Sequence, residues 1–303
     1  MIRLAGSVTG RSVAGVALLA CLFLSCEANA QGQYANINGA KIYYEVEGTG
    51  HPLVLIHGWP MSARMWDEQA RDLKRYYMVV RYDRRGFGRS PGAVGVEQSA
   101  EHDAQDLEAL LRYLKIPSAY IVGHSQGGAV AQQFTLDHPD QVDALILHGA
   151  PIDGFVLPET GPFSGAESVR ELMQKSGMAE FRRQWLANPI NHVPADRPEV
   201  AAFIADIVAQ YAGDDVLKMV PGHASGVPAI QRLSEIKTPV LVLVGGEDLP
   251  FFQISADALA FLIPGAQKVV IPGGAHLVNI IEPERYDAEI LRFLRAVERS
   301  RAH

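Results

Sequence analysis

Cysteine is nearly absent from this chain. Of 303 residues only Cys21 and Cys26 are cysteines, and both precede Gln31. A chain beginning at Gln31 would hold none, which excludes a disulfide scaffold and thiol catalysis. Positive charge is also in deficit: Lys and Arg number 27 against 34 Asp and Glu, a formal charge of −7. That is the wrong sign for holding a phosphate backbone, so no nucleic-acid partner is expected. No Walker pattern and no G-x-G-x-x-G follows an apolar run, no internal repeat stands out, and nucleotide cofactors lose support. What is abundant is apolar: hydrophobic residues make up 48% and charged residues 20%, enough to bury a core without staples.

Residues 1–30 read as a secretory leader, with Arg3 and Arg11, an apolar run from Ser12 to Leu24, and Ala28-Asn29-Ala30 before Gln31. The apolar run falls short of the roughly 20 residues needed to span a bilayer, so no stable membrane span is expected. Leu18-Leu19-Ala20-Cys21 loosely resembles a lipobox, which leaves lipid attachment at Cys21 or Cys26 as an alternative to cleavage after Ala30. The expected location is secreted or periplasmic.

Beyond the leader, short β-rich runs recur at Lys41–Val46, Leu53–Ile56, Met78–Tyr82, Ala119–Val122, Ala144–His148, Val240–Val244 and Lys268–Ile271. Several are apolar throughout, as strands buried on both faces of a parallel sheet must be. Between them, helical spacing appears at Ala63–Lys74, Gln98–Leu114, Gly127–Leu136, Ala256–Leu262 and Pro283–Glu298. The alternation predicts an α/β fold with a mostly parallel central sheet flanked by helices. Residues 151–235 break the alternation with helical patterns at Glu167–Ser176, Ala179–Leu186 and Glu199–Tyr211. We read them as a helical cap inserted between core strands, the core comprising 31–150 and 236–303.

One strand, Ala119–Val122, runs into Gly123-His124-Ser125-Gln126-Gly127 and then into a helical pattern. A strand-turn-helix of the form G-x-S-x-G places serine on a strained turn, flanked by glycines because a Cβ there would collide with strand end or helix start. The turn exposes Oγ and sets the Gln126 amide, at a helix N-terminus, to face a developing oxyanion. A serine hydroxyl needs a base. Ten histidines compete. His57 and His148 sit at apolar strand ends and suit structural roles, and His124 adjoins the serine but points away on a tight turn. His276 lies in Gly273-Gly274-Ala275-His276 directly after the last strand run, and is the base candidate. The carboxylate that orients it follows Val240–Val244: Asp248 is preferred, with Glu247 the near alternative and Asp153 the distant one. A second oxyanion donor is the Trp59 amide in His57-Gly58-Trp59-Pro60.

These blocks resemble the α/β-hydrolase superfamily over nearly the whole chain after the leader. His57-Gly58-Trp59-Pro60 and Tyr82-Asp83-Arg84-Arg85-Gly86-Phe87-Gly88-Arg89-Ser90 look like the cofactor-free haloperoxidase and aryl-esterase group, and His276–Asn279 with Glu282-Pro283 looks like the enol-lactonases. The resemblance implies the α/β-hydrolase fold, a triad of Ser125, Asp248 and His276, and Trp59 and Gln126 as oxyanion donors. The sequence departs from these families at Pro250, two residues after Asp248 instead of three, which alters that loop. Serine at the nucleophile position favours acyl transfer over the alkyl-enzyme chemistry of aspartate-bearing members.

The expected function is cleavage of a small-molecule carboxylic ester or lactone through an acyl-enzyme, with no metal or organic cofactor. Two alternatives stand beside it: acyl transfer to hydrogen peroxide, and a slow ligand-binding or sensing protein on the same fold. Phe155 and Trp185 are pocket candidates from the apolar cap. Asp83-Arg84-Arg85 reads as a buried ion-pair network beneath the site and not as an anion clamp.

Overall fold

The computed structural model describes residues 32–155, 163, 165–222 and 226–301. The expected leader, 1–30, lies outside them. The strands in chain order are β1 Gln33–Ile37, β2 Ala40–Glu47, β3 Pro52–Ile56, β4 Met78–Tyr82, β5 Glu97–Gln98, β6 Ala119–His124, β7 Val142–His148, β8 Val220–Pro221, β9 Val240–Gly245 and β10 Gln267–Ile271. β5 and β8 pair with each other, and the other eight form one sheet in the order β1-β2-β4-β3-β6-β7-β9-β10. β2 runs antiparallel to β1 and β4, and every remaining pair is parallel. All seven expected strands are present. β1, β5 and β8 were not expected.

The apolar runs are explained by burial on both faces. In β3, Leu53 and Leu55 join one core cluster while Val54 and Ile56 join the other. In β9, Leu241 and Leu243 face one way and Val240, Val242 and Val244 the other. Such strands have no face on which a polar residue would reach water. Helices Ala100–Tyr113, Gln126–Asp137 and Pro250–Leu262 cover one face, and Asp67–Leu73 with Pro283–Arg301 the other. Ser99 starts the first of these, its side chain accepting from the His102 amide at 3.2 Å.

Strand register brings the expected site together. Ile56 lies opposite Gly123, so the turns after β3 and β6 emerge side by side. Ile271 lies opposite Gly245, so the loops after β9 and β10 do the same. The chain leaves β3 for β4 on one side, while β6 lies on the other; this reversal opens the crevice at the carboxyl ends where α/β sheets bind ligands.

Between β7 and β9 come helices Ala166–Leu186, Pro198–Ala209, Asp214–Leu217 and Ala229–Arg232. The first contains the two expected segments, separated by a break at Gly177 (φ 82°, ψ 165°). Val169, Met173, Phe181 and Trp185, at intervals of four or eight, form its buried stripe against the core. Among the described residues no helix is long and apolar enough to cross a membrane.

Candidate active site

Ser125 follows β6 with φ 51° and ψ −124°, a conformation costing a non-glycine residue about 1–3 kcal/mol. The neighbours hold it there. Its amide donates to the His148 carbonyl at 2.9 Å, and its carbonyl accepts from the Gly128 amide at 2.7 Å. A Cβ at Gly123 would run into the Gly127 carbonyl, and one at Gly127 into that of Ile56, so strand and helix close on the serine only because both are glycine. The turn after β3 approaches equally closely. A Cβ on Gly58 would lie 2.5 Å from His124 Nδ1 and 2.9 Å from Ser125 Cβ. Trp59 is thereby placed beside Ser125, and neither its amide nor that of Gln126 has an acceptor among the described residues.

His276 Nδ1 lies 3.0 Å from Asp248 Oδ2, with both side chains buried. Only an N–H can serve that contact, so Nδ1 donates and Nε2 keeps its lone pair. Nε2 is buried with no hydrogen-bond partner among the described residues, as a base awaiting the serine proton requires. The loop is fastened from several sides. Phe252 packs on the imidazole with ring centroids 4.0 Å apart, and His124 Nε2 donates to the His276 carbonyl at 3.0 Å. Gly149, next to the residue that holds the Ser125 amide, abuts the imidazole so closely that a Cβ would sit 2.9 Å from its Cε1.

The choice between adjacent carboxylates is geometric. Asp248 Oδ1 accepts from the Leu249 amide at 2.8 Å, which turns Oδ2 to the imidazole. Glu247 is half exposed, its carboxylate 3.9 Å from His192. Asp153 accepts from the Ala229 amide at 3.3 Å, inside the segment between β7 and β9. Pro250 opens helix Pro250–Leu262 at its first position, where proline suits a helix start, so the altered spacing after Asp248 is accommodated.

Below the site the ion pairs are structural, as expected. Arg84 is 2% exposed and donates to Asp103 at 2.6 Å and to Gln126 Oε1 at 3.3 Å. Arg85 grips Asp106 through Nε and Nη2 at 2.8 and 2.7 Å. Asp83 caps the Ala63 amide at 2.7 Å and accepts from Arg89 at 2.8 Å. His57 accepts from the Arg84 amide through Nε2 and donates from Nδ1 to the Gly58 carbonyl. Burial holds His57, His124 and His148 well below the ordinary histidine pKa, so all three are neutral supports.

A cavity of about 600 Å³ is lined by Ser125, Gln126, Trp59, Trp185, Phe163 and Phe252 among others. Trp185 therefore falls where the sequence reading placed it. Phe155 does not: it packs with Ile230 against the core on the opposite face of the sheet and is not part of this lining. The short turn from Ile152 to Phe155 folds it away from the site. The wall residue Asp215 and its buried partner Tyr211 were missed altogether. Trp59 Nε1 donates to Tyr211 Oη at 2.9 Å and to Asp215 Oδ2 at 3.1 Å, and Tyr211 donates to Asp215 Oδ1 at 2.6 Å. No local spacing marks residues 152 and 156 positions away in the chain.

Sheet order, serine elbow and an acid-held histidine define a hydrolase of the α/β class. The profile of the alpha/beta hydrolase fold family matches residues 51–283, and the chain belongs to that family. It is 30% identical over 267 residues to the candidate carbamate hydrolase RutD of Rhizobium rhizogenes, covering 84% of this chain and 98% of that one. It is 29% identical over 280 residues to a bifunctional esterase/perhydrolase of Acinetobacter calcoaceticus, covering 88% and 100%. Among solved structures, a thermophilic esterase from Thermogutta terrifontis superposes with a TM-score of 0.77 at 28% identity, covering 88% of this chain and 99% of that one. The relatives agree with the group the sequence resembles.

Proposed function

We propose that the protein is a serine hydrolase that cleaves a small-molecule carboxylic ester or lactone through an acyl-enzyme. The observation that carries this reading is the 3.0 Å contact from His276 to Asp248 beside the strained Ser125. Ser125 Oγ attacks the carbonyl carbon as His276 Nε2 takes its proton. The tetrahedral oxyanion sits against the Trp59 and Gln126 amides. Collapse breaks the C–O bond, and His276 returns the proton to the leaving alkoxide. Water, deprotonated by the same imidazole, then attacks the acyl-enzyme and releases the acid and free Ser125. The leader supports export to a secreted or periplasmic location, and N-terminal sequencing of the exported protein should begin at Gln31.

The reading is tested with a p-nitrophenyl ester series of rising acyl length, using the purified protein and Ser125→Ala at equal folded concentration. The variant should lose about 10³-fold or more in kcat/KM. Equal, slow rates for both would sink the acyl-enzyme reading and favour a binding protein. The esterase/perhydrolase relative favours one second reading: hydrogen peroxide in place of water would open the same acyl-enzyme to give a peracid. A peracid assay run beside ester cleavage separates the two.

A further inference from the structure

The cavity wall holds a charged group that the acyl-transfer steps leave unused. Asp215, on helix Asp214–Leu217, lines the same cavity as Ser125 yet is 9% exposed. A carboxylate offers about four acceptor positions. Tyr211 Oη takes one at 2.6 Å and the Trp59 indole another at 3.1 Å. Both donors are neutral.

The cations nearby are committed elsewhere. Arg84 is paired with Asp103 at 2.6 Å and bonded to Gln126, and Lys218 is paired with Asp214 at 2.8 Å. Arg170 also lines the cavity, but its part-exposed side chain donates to the Met219 carbonyl at 3.2 Å and lies 3.9 Å from the Glu167 carboxylate. Among the described residues no cation lies within ion-pair distance of Asp215. Burial accordingly pushes its carboxyl up to about 6, although Tyr211, Arg84 and Trp59 pull the other way. An anion so poorly compensated, in a wall whose apolar side chains include Phe163, Val169, Trp185, Phe251 and Phe252 and whose other polar members besides Arg170 are neutral, offers a strong polar anchor.

We infer that Asp215 is a specificity-determining residue that selects substrates carrying an ammonium group in their acyl or alcohol part. The inference rests on the hydrolase reading of Ser125 and deepens it. The bound ammonium donates to the free lone pair of Asp215 and completes its charge, while the reacting carbonyl lies at Ser125. Asp215 takes no part in the proton transfers.

The test compares esters that differ only in a protonated nitrogen and its carbon isostere. One pair is 2-(dimethylamino)ethyl butyrate and 3-methylbutyl butyrate; the other is butyl 4-(dimethylamino)butanoate and butyl 5-methylhexanoate. At pH 7.5 the ammonium member of at least one pair should have the higher kcat/KM, by about tenfold or more. Asp215→Asn, equal in shape without the charge, should abolish that ratio. In the wild type the ratio should also fall between pH 7.5 and pH 5 as Asp215 takes a proton, and because it is a ratio of two esters cleaved by the same catalytic groups, effects common to both drop out. A wild-type ratio of one in both pairs overturns the inference, and so does an Asp215→Asn loss equal for both members of a pair, the mark of a residue that only holds Trp59. Should the variant fail to fold, the wild-type ratio and its pH dependence decide. Calorimetric titration of the same pairs into Ser125→Ala reads the preference without turnover. A chain that prefers the ammonium ester there but cleaves neither separates failure of the hydrolase reading from failure of this one.

Discussion

The carboxyl edge of the sheet and the helices between β7 and β9 meet across one cavity, but they are built on different terms. Ser125, Asp248, His276 and the Trp59 amide all follow strand ends, where register alone sets them side by side. Trp185, Phe163, Arg170 and Asp215 come from the segment between β7 and β9, and their positions depend on helix packing across a break at Gly177. The contrast teaches that reaction type belongs to the sheet, which cannot shift without losing its ladders, whereas selectivity belongs to elements free to vary.

The comparison breaks first at the triad. Asp248→Asn should lower kcat/KM about 10³- to 10⁴-fold while Glu247→Gln stays within about twofold, by steady-state kinetics on one ester. Equal losses would mean that the acid is not fixed by the turn after β9. Next comes Arg84→Ala, which leaves Asp103 buried and unpaired; denaturant melts should show about 3–5 kcal/mol lost while KM moves less than about threefold. A large change in KM at intact stability would move Arg84 from support to substrate contact.

A smaller effect tests the core's own buried carboxylate. Asp287 sits on helix Pro283–Arg301, neither side-chain oxygen has a well-formed hydrogen bond among the described residues, and burial raises its carboxyl to about 7 although nearby Gln69 pulls the other way. The folded chain therefore keeps a proton that the unfolded chain releases above about pH 4. The resulting penalty grows until pH passes about 7 and is constant beyond. Asp287→Asn removes it, so the Tm of the variant should exceed that of the wild type at pH 8 by an amount equivalent to about 1–4 kcal/mol, and the gap should close near pH 4. A gap that ignores pH would assign the effect to packing. Smallest is the wall itself: Trp185→Ala should shift the preferred acyl length and change KM by about tenfold, whereas Phe155→Ala should leave the chain-length profile in place.

The strands were legible because burial on both faces leaves an all-apolar run, as Val240–Val244 shows. β1 was not, since Gln33–Ile37 is a short edge strand with three of its five residues exposed, and β5 and β8 have two residues each. Helix Pro250–Leu262 begins six residues before the expected Ala256, because proline at a first helical position starts a helix that sequence patterning reads as a turn. Ser125 and His276 could be read from their glycine-flanked settings. Asp248 could not be separated from Glu247 because the choice lies in one hydrogen bond to the Leu249 amide. Phe155 was misplaced for a similar reason: nearness in sequence to a cap says nothing about which sheet face a turn selects. Asp215 had no signal, since it acquires meaning only when the chain folds it against Trp59.

Trp59 belongs to both halves. Its amide is the proposed second oxyanion donor, while its indole is held by Tyr211 and Asp215 from the segment between β7 and β9. Selectivity in this enzyme cannot be re-engineered by grafting a foreign cap as an interchangeable part. A graft lacking acceptors for that indole would set the tryptophan loose and blur the oxyanion hole for every substrate, wanted or not. A recombinant library should therefore keep Trp59, Tyr211 and Asp215 as one inherited unit and randomise the walls around them.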